Sequence, residues 1–93
     1  MLWLISYDVP DDRQRGKVAG VLETYGVRVQ WSVFECRIEG GTLREIQTRL
    51  QGIIRPDDGA NVRGYRICEH CAEQGWTIGT VMTPMGAEAY VIV

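Results

Sequence analysis

Asp8 closes an apolar run from Leu2 to Tyr7, and Asp11, Asp12, Arg13, Arg15 and Lys17 follow almost at once. A carboxylate supplies the hard oxygen that Mg²⁺ or Mn²⁺ takes as a ligand, and basic side chains supply contacts to phosphate. The stretch can therefore hold a divalent cation against a phosphodiester, where the metal neutralises charge and makes its bound water more acidic. One chain offers Asp8 with little beside it, because Asp11 and Asp12 read as helix caps. A two-fold axis next to the strand end would bring two Asp8 carboxylates to one cation. The expected metal site is thus shared between two subunits, and neither is competent alone. The competing use of Asp8 is an Asx turn before Pro10 that satisfies backbone donors.

Arg13, Arg15 and Lys17 fall in the first turns of the helix that Asp11 opens. Cations there oppose the helix dipole, which points to service for an anionic ligand. A solvated helix face is the plainer reading and suits Arg13 alone. The net charge of −2 and pI near 5.3 argue against a nucleic-acid binder. The distribution softens that objection: residues 13–66 hold all ten basic and six of the twelve acidic residues, leaving +4 there and −6 elsewhere. Nine of the ten are Arg, whose planar fork suits phosphate, although Arg-rich composition alone accounts for this equally well.

The elements that must position these groups read as βαββαβ. Leu2 to Tyr7 is a strand. Asp11 caps a helix on which Val18, Val21, Leu22 and Tyr25 recur at helical spacing before Gly26. Val27 to Ile38 reads as one long strand whose buried face changes partway, so that both faces are covered or the strand bulges. Thr42 and Glu45 read as a capping box opening a second helix with Leu43, Ile46, Leu50 and Ile53 inward. Asn61 to Cys68 reads as a further strand and Trp76 to Met82 as the last, with Tyr90 to Val93 adding to a sheet edge, either its own or a partner's. Two helices cover one face of such a sheet, giving a single α+β domain over residues 1–93 of ferredoxin-like form, with a four-stranded antiparallel sheet. Strand one also carries Leu2 and Leu4 opposite Trp3, Ile5 and Tyr7. A second apolar face in so short a chain is best covered by another copy of the same sheet, a sheet-to-sheet homodimer.

Other chemistries are weaker. Cys68-Glu69-His70-Cys71 lacks the second ligand pair of a zinc site, and the surroundings are not the parallel βαβ unit of a redox domain. Buried thiols at a strand end entering a short helical turn account for it. With one histidine, His-based nuclease chemistry has no support. No apolar run is long enough for a membrane span and no secretory signal is visible, so a cytoplasmic protein with reduced thiols is expected.

Tyr7-Asp8, Asp11-Asp12, Arg15, Lys17-Val18, Tyr25-Gly26, Arg28, Gln30, Ser32-Val33-Phe34 and Tyr65-Arg66-Ile67-Cys68 together resemble CRISPR-associated protein 2, the small subunit of the spacer-acquisition machinery. The resemblance implies a swapped homodimer, a CRISPR-associated integrase as partner, DNA or RNA as ligand, and Asp8 as the ligand of a Mg²⁺ or Mn²⁺ shared between subunits. It also implies that Arg15, Lys17 and Arg28 contact phosphate, and that Tyr7 and Phe34 lie near the site; for both aromatics core packing is the default reading, and the Tyr7 hydroxyl is a candidate to orient Asp8. The segment from Gly75 to Ala89 matches no motif of that family. Three functions fit: a metal-dependent endonuclease, a non-catalytic scaffold bridging integrase dimers and protospacer DNA, and a regulatory or RNA-binding module of the same fold outside CRISPR biology.

Overall fold

The computed structural model describes residues 1–79. Its elements are β1 (Leu2–Asp8), α1 (Asp12–Tyr25), β2 (Val27–Gln30), β3 (Val33–Arg37), α2 (Gly40–Gln51), a 3₁₀ turn (Pro56–Asp58), β4 (Asn61–Ile67) and α3 (Glu69–Glu73). The sheet has four strands in the order β2-β3-β1-β4, and every neighbouring pair is antiparallel. This is the expected ferredoxin-like βαββαβ arrangement, with α3 added after β4.

Alternation along β1 decides which face is the core. Ile5 and Tyr7, with Trp3 partly buried, join Phe34 and Cys36 of β3, opposite which Ile5 and Trp3 pair in register. Val18, Ala19 and Leu22 of α1 and Ile46 and Leu50 of α2 close over them. Phe34 is fully buried at the centre, and burial of such a side chain contributes about 1.5–3 kcal/mol. Gly26 ends α1 in extended backbone, φ −157°, so its role is close approach rather than a left-handed turn. A Cβ there would stand 2.4 Å from the Cys36 Sγ and 2.5 Å from the Glu35 carbonyl.

The second sheet face is covered at one end only. Leu2 is 2% exposed, and its cross-strand neighbour Arg37 reaches Glu69 at 3.1 Å, which sets α3 at that end. Further along, Leu4, Ser6 and Val33 stay half-buried, and Tyr65 is exposed.

Four expectations are corrected. Residues 27–38 form two strands, not one: the chain turns at Trp31-Ser32, and the β2–β3 register shifts between Arg28 and Gln30. The turn carries no Gly, Pro or Asn to mark it, because tertiary bonds to its carbonyls hold it. The second helix starts at Gly40, preceded by Glu39 with no side-chain cap, so Thr42 and Glu45 lie inside the helix rather than forming a capping box. The fourth strand is Asn61–Ile67; residues 76–79 are not strand, and residues 80–82 lie outside the described residues, as does the Tyr90 to Val93 run. The thiols of Cys68 and Cys71 are exposed rather than buried. The Cys68 Sγ caps α3, accepting from the Cys71 N–H at 3.3 Å.

Candidate functional site

Asp8 is the last residue of β1, paired with Asn61 of β4, and its side chain lies on the face opposite Tyr7. It is exposed, and among the described residues no hydrogen bond or ion pair engages its carboxylate. The Asx-turn use of Asp8 is therefore not adopted. Asp11 does what was expected: its carboxylate accepts from the Gln14 N–H at 2.8 Å. Asp12 opens the first turn of α1 and pairs with Arg15.

Asp8 borders an open cleft of about 530 Å³ whose walls include Tyr7, Asp12, Arg15, Arg28, Trp31 and Ser32. The two arginines are already bonded within the chain. Arg15 donates to the carbonyls of Val9 at 2.9 Å and Pro10 at 3.2 Å, bracing the β1–α1 loop. Arg28 donates to the Trp31 carbonyl at 2.6 Å and lies over the Phe34 ring, 5.1 Å from its centroid. Its other nitrogen faces Glu23 at 3.4 Å, a surface pair of little energetic weight. Tyr7 is 5% exposed, and its hydroxyl donates to the Trp31 carbonyl at 3.3 Å, not to Asp8. The Tyr7 N–H bonds the Ser32 carbonyl at 3.0 Å. Strand β1 thus holds the β2–β3 turn against the residue that precedes Asp8.

Arg13 and Lys17 are elsewhere. Spaced four apart they share one face of α1, whereas Arg15 turns away from them. With Arg55 they line a separate groove of about 400 Å³ between α1 and the segment after α2. None of these three cations forms an ion pair among the described residues. The groove is built by Gln14, a polar residue only 7% exposed. Its amide donates to the Asp58 carboxylate at 3.2 Å and accepts from the Arg55 N–H at 3.2 Å, fixing α1 to the 3₁₀ turn. A third concavity, between α2 and strands β1 and β4, is lined by Trp3, Ile5, Leu50, Ile54, Val62 and their neighbours, without a charged side chain.

Sequence reasoning missed two residues. Arg55 had no local signal, since it reaches the groove through the fold. Trp31 falls inside the single strand expected over Val27 to Ile38, yet it is 83% exposed beside the Asp8 cleft; the change of buried face along 27–38 was the signal.

Among the described residues no group of three or more His, Cys, Asp or Glu side chains converges on one point. Asp8 is a free hard-oxygen donor, as Mg²⁺ or Mn²⁺ requires, but it is one donor. Cys36 is buried, and burial foremost, with Glu35 adding, pushes its thiol up to about 11. It cannot join Cys68 and Cys71 in a metal set. Burial also raises the Glu35 carboxyl, partly offset by Arg37. No helix among the described residues is long and apolar enough to cross a membrane.

The family model described as CRISPR associated protein Cas2 matches residues 1–74. The chain is 40% identical over 93 residues to the CRISPR-associated endoribonuclease Cas2 1 of Chloroflexus aurantiacus, covering 100% of both. It is similar to the crystal structure of Streptococcus pyogenes Cas2 at pH 6.5, with 31% identity over 85% of this chain and 100% of that one, at a TM-score of 0.75. It is also similar to a chain of a partial Cas6-RT-Cas1–Cas2 complex, with 28% identity over 91% and 96% of the two chains and a TM-score of 0.70.

Proposed function

The chain belongs to the CRISPR-associated protein Cas2 family, and from that we propose that it acts in spacer acquisition as a homodimer that binds nucleic acid and cleaves a phosphodiester at a site shared by two Asp8 side chains. One observation carries the proposal: a carboxylate at a strand end, exposed, free of internal partners and bordering an open cleft. A carboxylate kept for structure would be bonded or capping, as Asp11 is. The endoribonuclease name of the Chloroflexus aurantiacus relative agrees with this chemistry.

The incomplete cover on the second sheet face supports the dimer. Leu4 and Val33 remain half-buried there, and a second copy of the sheet would remove them from water. Two Asp8 carboxylates would hold Mg²⁺ or Mn²⁺. When bound, the metal would neutralise phosphate charge and supply a more acidic water. Arg15 and Arg28 keep the loop and turn around Asp8 fixed and add positive potential to the cleft. Arg13, Lys17 and Arg55, none of them in an ion pair among the described residues, take the phosphates of the polynucleotide farther from the cleft, in a groove that also holds the Asp11 carboxylate.

That groove also favours a second reading, a scaffold that grips protospacer DNA and bridges copies of the integrase without cleaving. The similar chain in a Cas6-RT-Cas1–Cas2 complex points the same way. Spacer acquisition by an Asp8→Ala strain, read beside metal-dependent cleavage by the purified variant, separates the two. A nuclease role predicts that cleavage is lost and acquisition fails; a scaffold predicts normal acquisition. Wild-type cleavage by the variant would remove Asp8 from the chemistry.

A further inference from the structure

We propose that Cys68 and Cys71 are a redox-active dithiol, a reversible oxidation site that exchanges with a low-molecular-weight disulfide and closes to a disulfide within the chain. The site is independent of the Asp8 chemistry. A cysteine kept for packing is buried, as Cys36 is, whereas both of these thiols are exposed and open to a soluble reagent. Cys68 is the N-cap of α3, and Cys71 stands three residues on in the same turn. Cα atoms so spaced lie about 5 Å apart in a helix, within the roughly 4.4–6.8 Å that a disulfide spans. The Cys68 Sγ accepts from the Cys71 N–H at 3.3 Å. The side chains are bonded to each other as well, the Cys71 S–H donating to the Cys68 sulfur.

The two sulfurs have different roles. Donation from the Cys71 N–H foremost, and then from its S–H, holds the Cys68 thiol below its ordinary value, and giving that S–H raises Cys71. Cys68 is the attacking thiolate and Cys71 the resolving thiol. The Cys68 thiolate attacks one sulfur of the small disulfide, whose S–S bond breaks and releases one small thiolate. The Cys71 sulfur then attacks the Cys68 sulfur of the mixed disulfide, loses its proton to solvent and expels the second small thiolate. The small disulfide is reduced to two thiols while the two protein thiols are oxidised to one disulfide. Glu69, between the cysteines, pairs with Arg37 at 3.1 Å, so this disulfide forms in the turn that ties α3 to the end of β3.

The test exposes reduced, full-length protein to oxidised glutathione at neutral pH in EDTA, quenches with acid, alkylates the remaining thiols, and reads intact mass and peptide maps over time. Wild type should lose two hydrogens and release two glutathione thiols per chain, with Cys68 joined to Cys71 and Cys36 still free. Cys71→Ser should stop at the mixed disulfide, with glutathione on Cys68. Cys68→Ser should take up glutathione roughly threefold or more slowly than Cys71→Ser, because the better thiolate is gone. Both positions are exposed, so both variants should fold, and unchanged far-UV dichroism checks this. Wild type that does not react, that stops at the mixed disulfide, or that links chain to chain through these cysteines would overturn the proposal. So would equal rates for the two single variants, or closure as fast in concentrated urea as in the native protein, since the folded turn would then contribute nothing.

Discussion

The hydroxyl of Tyr7 donates to the carbonyl of Trp31 at 3.3 Å, joining the end of β1 to the turn between β2 and β3. Tyr7 thereby serves the site at one remove. It does not touch Asp8, but it fixes the turn that forms the opposite wall of the cleft. Tyr7→Phe keeps the ring against Phe34, whose centroid lies 6.3 Å away, and deletes only this bond. The expected cost is about 0.5–1.5 kcal/mol, a melting-temperature drop of about 2–12 °C in a domain this small. Thermal unfolding followed by circular dichroism measures it, and an unchanged melting temperature would mean that the bond holds nothing.

The basic side chains should separate into two classes on mutation. Arg28→Ala removes the clamp on Trp31 and the contact over Phe34, so stability and nucleic-acid affinity should fall together. Arg13→Ala and Lys17→Ala remove charges without ion-pair partners among the described residues. Each should leave the melting temperature unchanged, weaken binding evenly across sequences, and reduce the salt slope of log affinity by about 1. Affinities measured over a range of salt concentrations, beside melting curves, distinguish the classes.

Gly26→Ala tests the close approach at the end of α1. The added Cβ meets the Cys36 Sγ and the Glu35 carbonyl, and the carbonyl is backbone that cannot swing aside. A loss of about 1–3 kcal/mol is expected from overpacking, measured by urea unfolding. A neutral result would show that β3 yields.

Glu35 carries a pH signature. Burial raises its carboxyl from the ordinary 4.5, so ionisation works against the folded state. The penalty is complete above the raised value and disappears as the pH falls through it towards 4.5. Glu35→Gln should therefore melt higher than wild type at pH 7, and the gap should close on acidification. A gap that widens towards acid would reverse the assignment.

The thiols should react in a fixed order. Hydrogen bonding from Cys71 lowers the Cys68 thiol below the ordinary 9.0, whereas burial pushes Cys36 up to about 11. A disulfide reagent added to native protein at pH 7 to 8 should modify Cys68 first and leave Cys36 untouched until unfolding. Peptide mapping of the labelled protein gives the order.

Much of this site could be read from local pattern. Asp11 caps α1 as its spacing with Gln14 implied, and Asp8 ends β1 where the apolar run stops. Counting ligands around Asp8 leads to the expectation of a site shared between subunits, which a single chain does not test. What escaped depended on contacts distant in sequence. The Trp31-Ser32 turn is held by Tyr7, 24 residues away, and carries no Gly, Pro, Asn or Asp to mark it in the sequence. Arg15 and Arg28 looked like free phosphate ligands because sequence cannot show the carbonyls they bond. Arg55 joins Arg13 and Lys17 only because Gln14 bonds its N–H across 41 residues.

The central claim is that Asp8 is half of a shared site, and subunit mixing tests it most directly. Wild-type and Asp8→Ala chains are mixed in equal amounts, equilibrated as dimers and assayed for cleavage with Mg²⁺ or Mn²⁺. If two Asp8 carboxylates are required, only wild-type pairs cut, and activity falls to about one quarter of that of the same total amount of wild-type protein. Activity at about one half, with each chain cutting independently, would contradict the shared site.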